Sequence, residues 1–369
     1  MSFQSRFKCT QDLLDLSEAI SNHQCAIQLT PNGHPDMPLW LVNLGDSFLS
    51  RFRCTGDFSD YHTTIQLYQK SATSLGPPSV RLIAAQKWAQ LTKIHNPPAA
   101  MEAYAIAIDL VSHIVGMERT IEQRHTDLVN ISGVTTSAAS AAFEQDESEK
   151  ALEWLEQGRC LVWSQLNQLR TPIDDLRAHD PPLAQRFLKV SSALESSGSR
   201  RGLGALIADA PMSQKVTLQD EAHVHIKLAG EWNQLLEEIR HIPEFHSFLR
   251  PLQTSELLRH TPPEGPIILI NVDESRCDAL ALISGCPEPI HIPLTEFTYE
   301  HASDLVRRLR NFLSWNGVRL REENRAIRPA RDLRVKSDIH FVLGVLWLEV
   351  VRPILDGLSY SVSLFLLFF

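Results

Sequence analysis

The sequence lacks several features by which common functional classes are recognised. Its 369 residues contain neither G-x-x-x-x-G-K nor G-x-G-x-x-G, the two usual glycine-rich phosphate-binding patterns. The zinc pattern H-E-x-x-H is absent, and none of the six cysteines belongs to a C-x-x-C pair. We therefore predict no nucleotide cofactor and no bound metal, and we assign no cofactor-binding or metal-ligating residue.

An excess of basic residues and a long apolar run are also missing. The formal net charge is -9 at pH 7, which argues against general nucleic-acid binding because such surfaces are rich in Lys and Arg. The N-terminus lacks the uninterrupted apolar core of a secretory signal. No segment before residue 359 approaches the roughly 20 apolar residues that span a bilayer. We therefore predict a soluble, cytoplasmic chain with protein or peptide partners, not nucleic acid or membrane.

The first part of the chain carries helical periodicity in repeated pairs. Apolar residues recur at three- and four-residue steps in 16–27 and again in 41–52, with turn-forming residues between the two segments. The pattern restarts at Asp60, which lies 45 residues after Asp15. Helix pairs that recur at such spacings are typical of α-solenoids, in which each pair packs against its neighbours. The sequence therefore predicts helical repeats over 1–148.

The second part of the chain changes from helical to mixed periodicity. Long apolar stripes predict helices from residue 149 onward, and these form a helical connector over 149–258. The apolar runs IILINV and CDALALIS, separated by the polar DESR, predict a strand, a short loop and a second strand. A third run, PIHIPL, precedes two helix-like segments. The fold class is therefore predicted as mainly α, ending in an α/β region.

Several of these segments resemble one protein family. The segment DLSEAISNHQCAIQLTPNGHPDMPLWLVNLGDSFLSRF resembles the tetratricopeptide-like repeats of large fungal (basidiomycete-type) proteins that end in a CHAT domain, a caspase-like peptidase fold. ALEWLEQGRCLVWSQLNQLRTPIDDLRAHDPPLAQRF resembles the connector of these proteins. LAGEWNQLLEEIRHIPEFHSFLRP and EGPIILINVDESRCDALAL resemble the opening helix and first hairpin of the CHAT domain. LGVLWLEVVRPILDGL resembles the helix before its core strands.

The resemblance implies a tetratricopeptide-like α-solenoid over 1–148, the helical connector over 149–258 and the N-terminal portion of a CHAT domain over 259–358. In the family, a histidine followed by glycine and then a cysteine lie downstream of that last helix. The sequence contains no His-Gly pair, and the tail 359–369 contains neither His nor Cys. We therefore assign no catalytic residue and expect no peptidase activity from this chain.

The six cysteines are scattered, and such cysteines in a reducing cytosol are mostly small buried apolar side chains. Cys277 and Cys286 are the only ones in the α/β region and are the candidate nucleophiles. The resemblance places Cys277 at the start of a structural strand. Cys286 lies in a turn, and the nearest histidine, His291, is five residues away on the next strand. We predict structural roles for both; the other four are Cys9, Cys25, Cys54 and Cys160.

Two other groups of residues invite a functional interpretation. Glu221, His223 and His225 lie on a predicted helix, where the two histidines point to different faces and do not share a metal; we predict solvated side chains. The stretch 307–336 contains ten basic and three acidic residues. This stretch is suited to an acidic or phosphate-rich partner, but its lack of apolar periodicity favours a solvated loop between two helices.

Three functional hypotheses differ in how they interpret the tail SYSVSLFLLFF, residues 359–369. Our first hypothesis is an interaction scaffold with an incomplete, inactive CHAT domain. The alternative is a truncated form of a longer CHAT cysteine peptidase acting in fungal signalling or defence, in which the tail is sequence not selected for protein. The weaker alternative is a tail-anchored membrane protein, although about a dozen apolar residues fall short of the roughly 20 required.

Overall fold

A computed structural model describes residues 12–115, 121–166, 172–197, 212–249, 253–315 and 334–359 of the chain. These residues are mainly helical and include one three-stranded sheet, which confirms the predicted mainly-α fold. The chain divides into two compact units, a first unit of Met1–Thr135 with Glu156–Pro251 and a second unit of Thr136–Leu155 with Leu252–Phe369. The two units are distinguished by how compactly their residues pack, and this does not test the predicted domain boundaries after residues 148 and 258. Those boundaries therefore remain predictions.

The described part of the first unit begins with five helices that pack against their neighbours in sequence order. Consecutive helices are joined by short turns, so each pair buries its apolar side chains against the next. The spacing of apolar residues predicted the first two helices, and the recurrence at Asp60 predicted the third. The last two lie in the segment predicted as helical repeats. Their bounds are α1 Leu13–Leu29, α2 Met37–Thr55, α3 Phe58–Thr73, α4 Pro78–Thr92 and α5 Pro97–Val115.

Helices α1 and α3 begin in the same way, 45 residues apart. Each is preceded by an aspartate, Asp12 or Asp57, whose carboxylate accepts a hydrogen bond from the backbone N–H two residues later. Each also has a buried aspartate in its first turn, Asp15 or Asp60. Asp60 accepts two hydrogen bonds of 2.6 Å from Arg51, which ties α3 to α2. Local capping therefore sets where these helices start.

Polar and aromatic side chains join α2, α3 and α4. The buried Tyr68 donates its hydroxyl hydrogen to the Asp46 carboxylate at 2.5 Å, and Lys87 Nζ lies 2.5 Å from the same carboxylate. At Gly45 of α2, a Cβ atom would lie 2.6 Å from the Tyr68 ring. The missing side chain at Gly45 therefore allows α2 and α3 to approach closely around Tyr68.

The first unit also contains helices from the middle of the chain. An apolar cluster fixes α8, α9 and α10 together around the fully buried Leu176, Phe187 and Ile239. The sequence predicts α7, α9 and α10, whereas α6 and α8 were not predicted. The bounds are α6 Ile121–Glu144, α7 Ser148–Leu166, α8 Pro172–His179, α9 Pro181–Ser197 and α10 Met212–Arg240, followed by a 3-10 turn at Pro243–Phe245. Residues 136–155, which end α6 and begin α7, belong to the second unit.

The second unit is built on an antiparallel sheet with strand order β1-β2-β3. Asn271 of β1 lies opposite Asp278 of β2, and Leu280 of β2 lies opposite His291 of β3. The three predicted apolar runs form these strands. The bounds are α11 Thr254–Arg259, β1 Ile267–Val272, β2 Cys277–Leu282, β3 Ile290–Pro293, α12 Tyr299–Trp315, α13 Arg334–Leu346, a π-helical segment Trp347–Val351 and α14 Arg352–Gly357.

Because side chains alternate along a strand, the sheet has two different faces. One face is apolar and packs against α12, α13 and α14 in a cluster that includes Cys277, Ala279, Ile292, Leu305, Val342 and Ile354. The other face carries polar side chains and contacts the last part of α6. There, Asn271 Nδ2 donates to the Thr136 carbonyl at 3.1 Å and to Ser140 Oγ at 2.9 Å.

The expectations about a membrane span and about the tail can be compared with the structure only at the described residues. Within the described ranges, no helix combines the length and the apolar character needed to cross a bilayer. Of the tail, only Ser359 is described, and residues 360–369 lie outside the described residues.

Candidate functional site

The second unit brings its strand histidine to a buried aspartate. His291 Nε2 lies 2.7 Å from Asp278 Oδ1, and the imidazole stacks on the Phe143 ring at a centroid distance of 4.4 Å. Arg276 donates two hydrogen bonds to the same carboxylate, at 2.6 and 2.8 Å. Burial opposes ionisation of Asp278, but the hydrogen bonds from His291 and Arg276 hold the pKa of Asp278 below its ordinary value. His291 therefore belongs to a hydrogen-bonded network around the buried Asp278 carboxylate of the second unit.

The candidate nucleophiles do not lie beside a base. Cys277 is buried on the face of the sheet opposite to His291, and burial raises the pKa of its thiol. Cys286 lies half-buried in the turn after β2. Burial and then Glu156 raise the pKa of the Cys160 thiol to about 11. In the part of the chain that the structure describes, no hydrogen bond joins a cysteine to a histidine, so no thiol there has the partner that nucleophilic catalysis requires.

The histidines of α10 point to different faces, but one of them is not solvated. His223 is exposed, whereas His225 is only 1% exposed and lies close to His34 and Gly33 in the turn between α1 and α2. The prediction of solvated histidines is therefore wrong for His225, because this turn covers its face of α10. The side chain of Glu221 lies outside the described residues. Among those that are described, no three His, Cys, Asp or Glu side chains are grouped as metal ligands.

We expect the first unit to lose stability as the pH falls below 6.5. Burial of the imidazole lowers the pKa of His225 from 6.5, and His34 and Arg81 lower it further. The Gly33 carbonyl raises this pKa and so offsets part of the shift. The unfolded chain therefore binds a proton at pH values where the folded chain does not. Stability is full above pH 6.5 and is lost as the pH falls through the lowered pKa, by at most about 1.4 kcal/mol per pH unit.

Urea unfolding at about pH 7.5 and about pH 5.5, followed by helical circular dichroism, measures this loss. The variant His225→Leu should reduce the difference between the two pH values. The matched variant His223→Leu changes an exposed histidine two residues away and should reduce the difference less than His225→Leu does. An unchanged difference in His225→Leu would show that another group is responsible.

The basic stretch 307–336 lies only partly within the described residues. Its first nine residues end α12, and residues 316–333, the predicted loop, lie outside the described ranges. Arg307 and Arg308 both donate to Asp304, and the Arg308 guanidinium lies over the Phe341 ring at 4.7 Å from its centroid. These arginines are therefore already engaged within the second unit.

The first unit contains a cleft of about 210 Å³ between the α3–α4 turn and helices α9 and α10. Sites for drug-sized ligands usually measure roughly 300–1,000 Å³, so this cleft has room for one side chain or a small fragment. Its walls combine one cation, one anion, several apolar groups and the uncharged polar side chains of Thr73, Ser74, Ser191 and Asn233. The residues that matter here are Leu75, Pro78, Arg81, Asp109, Leu194 and Trp232.

Arg81 supplies the positive charge of the cleft. Its Nε donates to the Ala72 carbonyl at 3.0 Å, which fixes the position of the guanidinium. Burial lowers the pKa of Arg81, and the nearby charge of Asp109 acts in the opposite direction. Among the described residues, no carboxylate forms an ion pair with Arg81. The cleft therefore presents the remaining guanidinium N–H donors in a partly desolvated setting.

Sequence reasoning missed this cleft. Arg81 lies in a segment correctly predicted as a helix, and nothing in the sequence of that segment indicates a functional role for the arginine. The opposite wall comes from α9 and α10, more than a hundred residues further along the chain. No short motif joins these segments, so only their packing reveals the site.

Comparison of the chain with protein-family models, with curated proteins and with solved structures finds no match. The likeness to CHAT-domain proteins therefore stays an expectation from the sequence. The function proposed below rests on the residues and the geometry of the chain itself.

Proposed function

We propose that this chain is a cytoplasmic protein–protein interaction scaffold whose helical repeats bind a segment of a partner protein. The observation that carries the proposal is the Arg81 cleft, in which the α3–α4 turn of the stacked helices faces α9 and α10. Its rim residues Leu75 and Asn233 are exposed, so a partner segment has access to it. Proteins built from stacked helix pairs present extended surfaces of this kind to peptide segments.

In this proposal the repeats are a tetratricopeptide-like α-solenoid, and residues 259–358 form a CHAT-like portion without peptidase activity. The positions of Cys277 and His291 on opposite faces of the sheet support the lack of activity. The alternative, a cysteine peptidase, needs a paired Cys and His, which the described residues do not supply. The weaker alternative of a tail anchor depends on residues of the tail that lie outside the described ranges.

We expect a photo-reactive amino acid placed at Leu75 in the full chain to crosslink to one defined segment of a partner protein. The control places the same amino acid at Ile94, which is 81% exposed and is not part of the cleft. Mass spectrometry identifies the crosslinked segment, and calorimetry with the purified partner confirms the complex. The scaffold proposal fails if position 75 gives no crosslinked protein, or the same proteins as position 94.

A further inference from the structure

The chemistry of the Arg81 cleft indicates which kind of side chain it receives. Arg81 is a cation that gives one N–H to the Ala72 carbonyl and forms no ion pair with the described residues. A partly buried cation is stabilised when an anion replaces the water that it has lost. A planar guanidinium pairs best with a carboxylate, which accepts two parallel hydrogen bonds from it.

The walls beside Arg81 limit the size and polarity of this anion. Trp232 Nε1 donates to Ser191 Oγ at 2.9 Å, so the polar edge of the indole is already used within the protein. Leu194 and Trp232 line the same cleft and present apolar surface. A short apolar stem that carries a carboxylate fits both parts of this wall, and the small volume excludes a larger group.

We propose that the cleft binds the glutamate side chain of an extended partner segment, with its carboxylate on Arg81 and its methylene groups against Leu194 and Trp232. This inference rests on the proposed scaffold function and names the chemistry of the partner. The carboxylate accepts hydrogen bonds from the guanidinium, and the backbone of the segment stays at the exposed rim near Leu75 and Asn233.

Asp109 provides an independent check of the sign of the bound charge. Its carboxylate lines the same cleft and acts on the charge of Arg81. A second carboxylate in the cleft is repelled by Asp109, so the variant Asp109→Asn should bind an acidic side chain more tightly. A cationic ligand would respond in the opposite way. Asp109 is exposed, and helical circular dichroism of Asp109→Asn shows whether its replacement leaves the fold intact.

The test uses the full chain and the blocked peptide acetyl-Ala-Ala-Glu-Ala-Ala-amide, in which the glutamate is the only charge. The control peptide carries Gln in place of Glu and has nearly the same shape. Equilibrium dialysis at low ionic strength should show at least about tenfold weaker binding of the Gln peptide. Arg81→Met should lose the preference for Glu, Arg81→Lys should keep part of it, and Asp109→Asn should strengthen binding several-fold.

Three results would overturn the inference. They are equal binding of the Glu and Gln peptides, an undiminished preference for Glu in Arg81→Met, and weaker Glu binding in Asp109→Asn. Helical circular dichroism of each variant shows whether it is folded, and Asp109→Asn remains decisive if Arg81→Met unfolds. If Leu75 crosslinks to a partner segment that lacks an acidic residue, the scaffold function stands and only the acidic side chain is wrong.

Discussion

Replacing Asp278 with alanine is expected to destabilise the sheet of the second unit by about 3 kcal/mol. The Asp278 side chain is fully buried, and its carboxylate accepts two hydrogen bonds from Arg276 and lies 2.7 Å from His291. Removal of the carboxylate leaves the arginine and the histidine without their anion in a site with little water. A loss of this size is a large fraction of the roughly 5–15 kcal/mol that stabilises a typical domain.

Hydrogen exchange of the β1–β3 amides in the full chain, read by mass spectrometry, measures this loss locally. The matched control is Asp304→Ala, because Asp304 is also bound by two arginines, Arg307 and Arg308. The Asp304 side chain is 30% exposed, so water replaces the lost partners, and we expect a much smaller change in amide protection than in Asp278→Ala. Equal losses in the two variants would mean that burial of Asp278 is not what makes its network important.

Replacing Trp88 with alanine is expected to destabilise the first unit by about 3–5 kcal/mol. Trp88 is 1% exposed in α4 and is among the largest fully buried side chains of the described residues. Its truncation removes a large apolar area from the core and leaves a cavity that the packed helices fill only in part. Urea unfolding followed by helical circular dichroism measures the change without relying on the fluorescence of the replaced residue.

The variant Trp88→Phe removes the indole N–H of Trp88 but keeps an aromatic ring in the core. Trp88 Nε1 is buried, and no described group accepts a hydrogen bond from it. A buried unpaired donor costs about 1–3 kcal/mol, so phenylalanine removes this cost while it keeps most of the apolar volume. We therefore expect Trp88→Phe to lose much less stability than Trp88→Ala. Equal losses would show that the apolar volume retained by phenylalanine is not what stabilises the first unit.

The helix ends and strands of this chain were predictable because their signals are local. Gly56, a residue type that often ends helices, ends α2 at φ 75° with its N–H bonded to the Phe52 carbonyl. The apolar runs around DESR were predicted as two strands, and they pair as β1 and β2. Such signals depend on a few consecutive residues and on the 3.6- or two-residue period of the backbone.

Helix α6 was missed because its local signal is weak. The segment around residues 134–143 is rich in Ala, Ser and Thr, so large apolar residues do not mark one face. Small side chains such as Ala138, Ala139 and Ala142 are nevertheless fully buried, because close packing uses them where neighbouring elements approach. The burial of His225 was missed for a related reason, since the residues near it come from a turn almost two hundred residues earlier.

The sequence by itself determined the 45-residue recurrence of helix starts, the helical character of the first part of the chain and the strands of the second. Only the tertiary structure decided that Asp278 meets His291 and Arg276, that Cys277 faces away from His291, and that Arg81 lines a cleft. The physical reason is that helix and strand periods involve neighbouring residues. A buried ion pair or a cleft depends instead on which distant faces pack together.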